Sequence, residues 1–491
     1  MGRVAGGSAA RGLERALAFA GREAFPIVVF GIVVVQLMRY LSLELAQDGW
    51  LAFLGGDQIA RHGLPRHDNL TVWAHGTQWI DQPWLAQLAF HGLFAAGGAK
   101  LALLVNAGLI VGTLALAMAF GRRSGASALR TAAVAAASVS VVAAYWQLRT
   151  QSFVYPLFVL ALWLLVEDSR SPSRRVFLVL PLLALWANLH GSVVLAGVLV
   201  ALRGATFGLG ELRAGRPPSA WVTRCAALVL APGLCIFASP YGFALADYYR
   251  RTLFNPALER YIAEWRPPSF SLSTAPIFVV ALAALWLLGR SRRLTGYERL
   301  VIIGAAALAV VSIRNCVWLG LAAAVVLPRA LEEAWPSRPG VERIRLNRLA
   351  ALAAVAAALV AISLAAARPL SWLHRDWPEA ASAAVSREAA ARPSVRVFAT
   401  LRYADWLLFE EPALKGRVAL DARVELLSRS QLRRYVELVN RIGDDWKAAA
   451  SGYRVIVLDP VADRQVEQSF LAEPGVRRLY RDARISVLIR E

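Results

Sequence analysis

The feature that most constrains this chain is a recurrence. Apolar runs of about 15 to 22 residues return again and again as far as Ala367, each close to the thickness of a bilayer's hydrocarbon core. In a chain of 491 residues that is 57% hydrophobic, this pattern reads as an α-helical polytopic membrane protein. The runs fall at 25–45, 99–120, 127–147, 152–167, 175–188, 190–208, 221–239, 273–290, 297–313, 316–332 and 347–367, about eleven transmembrane helices. The stretch 175–208 is interrupted by Asn188, His190 and Gly191, which mark a tight hairpin or a broken helix.

The arginines orient these spans. With a cytoplasmic N-terminus, the inner segments hold Arg3, Arg11, Arg15 and Arg22; Arg122, Arg123 and Arg130; Arg170, Arg174 and Arg175; Arg203, Arg213, Arg216 and Arg224. Arg290, Arg292, Arg293 and Arg299, then Arg329, Arg338, Arg343 and Arg345, continue the series, while the outer turns hold little beyond Arg149 and Arg314. One outer segment, 240–272, breaks the rule with Arg250, Arg251, Arg260 and Arg266. The net charge of +20 sits mostly in cytoplasmic loops facing anionic lipid, so nucleic acid is not an expected partner. The first apolar run is long and lacks a clear cleavage site after Leu45-Ala46-Gln47, and reads as a retained anchor. Cys225, Cys235 and Cys316 lie in or beside spans and offer neither a disulfide framework nor metal-ligand spacing.

Two regions depart from the rhythm of short loops. The first, 46–98, follows the first span and holds Asp48, Asp57, Asp68 and Asp81 among Trp50, Trp73, Trp79 and Trp84, residues suited to the membrane interface. Interfacial helices are expected from Gly49 to about Arg61-His62-Gly63 and from Trp84 to Phe94. The second is 368–491, which lacks any spanning run and reads as a separate α/β domain. Its expected elements are strand 395–400, helix 402–411, strand 417–422, helices 429–440 and 444–451, strand 453–459, helix 462–472, and strands 476–481 and 485–490. With an odd number of spans, this domain lies on the same outer side as the acidic loop. Residues 1–367 form the membrane domain.

Further polar residues end spans on that side: Trp146-Gln147-Leu148-Arg149-Thr150-Gln151, Trp186-Ala187-Asn188-Leu189-His190-Gly191, Ser239-Pro240-Tyr241-Gly242, Glu264-Trp265-Arg266-Pro267 and Arg314-Asn315. Polar groups in such places either snorkel or line a cavity. Arg314 occupies a very short hairpin between two apolar spans, where a cation needs an anion or a carboxylate partner.

This ordered series, with Gly63-Leu64-Pro65-Arg66-His67-Asp68 and Trp79-Ile80-Asp81-Gln82-Pro83-Trp84-Leu85, resembles a large set of bacterial multi-spanning proteins related to the GT-C superfamily of membrane glycosyltransferases. The resemblance extends to Val418-Ala419-Leu420-Asp421-Ala422-Arg423, similar to that group's Asp-Gly-Arg segment. It implies residence in a bacterial inner membrane and transfer of a sugar from a polyprenyl-phosphate donor to an extracytoplasmic glycan, lipid or protein. It also implies a catalytic carboxylate in the first outer loop, carried over to Asp48, with Asp57 and Asp81 as further candidates. Inverting transfer needs a base for the acceptor hydroxyl, and a partly desolvated carboxylate suits it. The bland alternatives are an interfacial carboxylate for Asp48, a solvated helix residue for Asp57 and an ion-pair partner for Asp81. Asp68 beside Asn69 reads as turn chemistry.

The departing phosphate needs positive charge, expected from Arg314, Arg149 and His190, against snorkelling arginines and a histidine that closes a helix break with Asn188. Arg250, Arg251, Arg266 and Glu264 are the candidates for acceptor or lipid binding, against a solvated charged helix. Asp405, Asp421 and Arg423 contact the acceptor or form a structural ion pair. No cofactor is firmly implied. The first outer loop lacks an Asp-x-Asp pair, so a tightly held divalent metal has little support. Pro83, Ser239 and Ala422 stand where that group usually has Glu, Asn and Gly, which keeps open a catalytically silent assembly subunit of the same fold. A transporter of a lipid-linked or anionic substrate is the other alternative, and the lack of an internal repeat counts against it. Sugar, acceptor and protein partners are not legible.

Overall fold

The computed structural model describes residues 3–336 and 343–491. Arg338, one of the expected inner arginines, lies outside the described residues. Each of the eleven apolar runs holds a helical segment. Five helices are long and apolar enough to cross a membrane: Trp84–Arg123, Thr150–Arg170, Val193–Arg213, Ile313–Ala334 and Ile344–Ala367. A sixth span is available if Arg11–Arg22 and Ala24–Arg39, bent by 84° at their junction, count as one. Ala128–Val142, Val222–Ile236 and Ala275–Arg290 are apolar but shorter.

The acidic loop opens with the helix Gln47–His62, and the amphipathic stretch from Trp84 begins the long helix Trp84–Arg123. That helix breaks at Gly97 and Gly98, where Gly98 takes φ 65°, a left-handed conformation costly for any residue with a Cβ. The break separates an amphipathic first half from an apolar second half, as the sequence pattern requires. Several of the expected inner arginines lie on helices and are tethers: Arg122 pairs with Glu23, Arg170 with Glu298, and Arg224 and the buried mid-helix Arg203 share Asp168.

The C-terminal region holds a four-stranded sheet: β1 Val397–Ala399, β2 Val455–Leu458, β3 Val476–Arg481 and β4 Ser486–Arg490, in spatial order β1-β2-β4-β3. β1 and β2 are parallel, and the other pairs antiparallel. Helices Leu401–Glu410, Arg429–Asn440 and Arg464–Leu471 fall where expected, while 446–450 is a 3-10 turn rather than an α-helix.

The expected strand 417–422 is not a strand of the sheet. Val418 makes only single bridges, to Val397 on one side and to Thr71 on the other. Its outward backbone groups are taken by the acidic loop: Val72 donates to the Val418 carbonyl (2.8 Å), Trp73 to that of Ala419 (2.9 Å), and Gly416 to that of Leu70 (2.8 Å). The segment has strand-like composition but pairs through isolated bridges, and it serves as a seam between loop and sheet. One apolar core crosses this seam, with Trp50, Phe53 and Phe90 on one side and Trp377, Tyr403 and Trp406 on the other.

Candidate functional site

Arg149 organises the first part of the site. It lies just before the 3-10 turn Thr150–Phe153, and its segment is anchored by Leu148, whose N–H reaches the Glu44 carbonyl at 2.8 Å. Asp48 stands in the first turn of Gln47–His62, where exposed helical N–H groups favour a carboxylate. Arg149 Nε lies 2.9 Å from Asp48 Oδ2. Its two terminal nitrogens donate to Glu264, at 2.7 Å to Oε1 and 3.3 Å to Oε2, a two-pronged pairing that fixes orientation. Burial pushes the Glu264 carboxyl up, but Arg149 outweighs it and holds the group below its usual range.

Arg314 sits in the 3-10 turn Ile313–Asn315. This hairpin is fastened by Ser312 Oγ donating to the Glu264 carbonyl (3.0 Å), Ile313 N–H to that of Arg266 (3.0 Å), and Tyr145 Oη to that of Ile313 (2.8 Å). The Arg314 guanidinium lies over the Trp265 ring, 4.1 Å from its centroid, a cation–π contact that positions the group without neutralising it. Among the described residues it forms no ion pair. One segment, Glu264-Trp265, therefore holds Arg149 with its carboxylate and Arg314 with its ring.

Arg314 and His190 line one cavity of about 680 Å³, with Gln151, Tyr248, Trp265 and Trp318. Val194, Leu195, Val198, Leu308 and Val311 make its apolar part. A single hydrogen-bond chain sets the His190 tautomer. Trp186 Nε1 donates to Ser192 Oγ at 3.1 Å, so that hydroxyl points its own hydrogen at His190 Nδ1, 2.8 Å away. The Ser192 N–H also donates to Nδ1, at 3.1 Å. With Nδ1 accepting, Nε2 carries the proton and serves as a donor. The expected helix break is present too: Asn188 Nδ2 donates to the carbonyls of Ala184 and Ala238, and its Oδ1 accepts from Trp84 Nε1. Asp48 and Arg149 are not on the cavity walls and join it through Glu264.

The other loop carboxylates have separate surroundings. Asp57 pairs with Arg61 at 2.5 Å and with Lys415 at 3.4 Å. Burial raises its pKa, but these two cations outweigh it, so the carboxyl sits below its usual range. Asp81 is buried, accepts from Gln87 Nε2 at 2.9 Å, and has no partner for Oδ2 among the described residues. Burial pushes its pKa up to about 7. Asp68 does the expected turn work, accepting from the N–H groups of Leu70 and Thr71. It also pairs with Arg423 at 2.5 Å, which the sequence did not disclose. Arg423 holds Asp421 as well, at 2.9 Å from Nε, and lies 4.0 Å from the Trp79 ring centroid. Asp405 reaches the Ala422 N–H, and burial with the neighbouring Asp421 charge pushes its carboxyl well above the usual range.

Glu425 was missed altogether. Burial pushes it up to about 7, and it feels the charges of Arg423, Asp421 and Asp48, so it brings a carboxyl from the C-terminal region toward the loop site. It stands hundreds of residues from the loop, so no spacing could have flagged it. Arg250 pairs with exposed Asp247, Arg251 reaches Gln78 at 3.4 Å, and Arg266 bonds the Arg260 carbonyl. None of the three lines the cavity, although Tyr248 and Tyr249, on the helix Leu245–Leu253 that carries Arg250 and Arg251, do. Among the described residues no group of three or more His, Cys, Asp or Glu side chains is placed to hold a metal ion.

No protein-family model matches the chain, and no curated protein matches it by sequence. Solved structures do. ArnT from Cupriavidus metallidurans bound to undecaprenyl phosphate is similar at 13% identity and a TM-score of 0.47, with 94% of this chain and 97% of that one covered. The Archaeoglobus fulgidus oligosaccharyltransferase AglB, in complex with an inhibitory peptide and a dolichol-phosphate, is similar at 13% identity and 0.49, with 88% and 69% covered. Likeness at this level assigns neither a residue's role nor an activity.

Proposed function

We propose that the chain is a GT-C-like membrane glycosyltransferase that moves a sugar from a polyprenyl-phosphate donor to an extracytoplasmic acceptor. In this reading it crosses a bacterial inner membrane about eleven times, with its N-terminus in the cytoplasm. The acidic loop and residues 368–491 then lie together on the far side. The observation that carries the reading is Arg314: a cation with no carboxylate within ion-pair distance among the described residues, on the wall of a largely apolar cavity whose one carboxylate is Glu259. A lipid phosphate meets both halves of that surface, its chain against Val194, Leu195 and Val198 and its phosphate against Arg314.

The chemistry then divides between two arginine-centred groups. Asp48, oriented by Arg149, takes the proton of the acceptor hydroxyl as that oxygen bonds to the anomeric carbon. The bond from that carbon to the phosphate oxygen breaks, and its electron pair stays on the polyprenyl phosphate. Arg314 and the Nε2–H of His190 meet the developing charge. Glu264 keeps Arg149 and the Trp265 ring in register, so base and phosphate site move as a unit. Asp81 and Asp57 have no part in these steps: one is enclosed, the other is committed to Arg61 and Lys415.

The placement of Asp48 off the cavity wall favours one second reading, a subunit that holds a lipid phosphate without turning it over. Purified protein assayed with polyprenyl-phosphate sugars separates the two. Asp48→Asn should lower transfer by ~100-fold or more and leave lipid retention unchanged, whereas Arg314→Ala should release the lipid. Retention by wild type without turnover, together with full cellular function of Asp48→Asn, would remove the enzyme reading.

A further inference from the structure

We infer that the C-terminal ends of helices Ala24–Arg39 and Ile344–Ala367 form a binding site for the phosphate headgroup of an anionic membrane lipid. This site shares no residue with the His190 and Arg314 cavity.

The two helices run side by side in the same direction. Just before the first helix begins, a Cβ on Gly21 would run into Ile344 Cδ1, at the start of the second. Midway, a Cβ on Gly31 would stand 2.9 Å from the Ala354 Cβ, so the backbones nearly touch. Residues at both C-terminal ends, Arg39 and Arg368, line one cavity. Its volume is about 450 Å³, and Arg375 and Arg484 line it too, with Asp376 as its one acidic residue. Asp376 pairs with Arg484 at 3.0 Å. Arg39, Arg368 and Arg375 are exposed and have no ion pair among the described residues. Trp372 also lines the cavity, and its buried Nε1–H has no acceptor among the described residues.

Two further features select an anion carried by a lipid. A helix C-terminus ordinarily repels anions through its free carbonyls. Here Lys100 Nζ covers two of them, donating to Ala366 at 2.8 Å and Arg368 at 2.5 Å. Helix Ile344–Ala367, which ends at the arginines, exposes Val355, Leu359 and Ile362 (46%, 60% and 41%) at the i, i+4, i+7 spacing of one apolar face. Acyl chains fit that face and a phosphate fits the arginines, whose planar forks match phosphate oxygens in pairs. A free phosphate would use only the upper half.

The test uses the full chain in a neutral detergent and counts retained lipid by native mass spectrometry, with phosphatidylglycerol and phosphatidylcholine as probes and inorganic phosphate as competitor. Phosphatidylglycerol should be retained in preference to phosphatidylcholine. The combined Arg39→Gln, Arg368→Gln, Arg375→Gln variant should lose ~10-fold or more of that preference. Arg213→Gln, at another exposed helix end, should retain it, and the melting temperature should be unchanged in both. Equal retention of the two lipids, or full retention by the combined variant, would overturn the site. Displacement of the lipid by inorganic phosphate at ordinary concentrations would overturn the lipid assignment.

Discussion

The chain twice places an arginine between two carboxylates, with opposite consequences. Around Arg423, everything is dry: its side chain is 3% exposed, and those of Asp68 and Asp421 are 0% and 4%. Around Arg149 the same chemistry is open, with Asp48 and Glu264 at 34% and 43%. A buried triad leaves a costly charge when one member is lost, whereas a half-open one loses little, because water takes over. The enclosed group therefore holds the acidic loop against the C-terminal region, and the open group is free to meet a substrate. Residue types alone do not distinguish a fastening from a site.

The comparison breaks most visibly at Arg423. Arg423→Ala leaves Asp68 and Asp421 buried without their cation and should cost about 3–5 kcal/mol, read as a fall in the denaturation midpoint of the detergent-solubilised protein. A change below ~1 kcal/mol would make the two triads energetically alike. Asp48→Asn should act on the other axis. Transfer from a polyprenyl-phosphate sugar should fall by ~100-fold or more, while the denaturation midpoint stays within ~1 kcal/mol of wild type. If stability falls as far as in Arg423→Ala, Asp48 is a second fastening.

A titration sharpens the boundary between the two regions. Asp81, raised to about 7 by burial, holds its proton in the folded protein where the unfolded chain has lost it. Its contribution to stability should therefore decline as pH rises from about 4 to 7, and Glu425, raised to the same range, acts in the same direction. Asp81→Asn should make that decline shallower in unfolding curves taken across the range. The smallest effect belongs to Asp57, whose lowered pKa contributes stability that is present at neutral pH and lost only as pH falls below the usual carboxylate range. Because Arg61 is exposed, Asp57→Asn should cost ~1 kcal/mol or less at pH 7.

Much of the helical framework was legible because each apolar run carries its own reason to be a helix: in lipid a backbone must satisfy its hydrogen bonds within the segment. The helices Gln47–His62 and Arg429–Asn440 were readable for a similar local reason. Segment 417–422 was not. Its composition is that of a strand, but its partners are a short β1 on one side and loop residues 70–73 on the other, far away in sequence.

The candidate site divides along the same line. By itself the sequence determined that Asp48, Arg149, His190 and Arg314 stand between or at the ends of apolar runs, because those runs are interrupted there by polar residues. The tertiary structure alone decided that Glu264-Trp265 joins Arg149 to Arg314, that Arg423 reaches across to Asp68, and that Glu425 comes near Asp48. The physical reason is range. Hydropathy and capping act over a few neighbouring residues, whereas an ion pair's partner and its exposure are set by whichever segments the packing brings together.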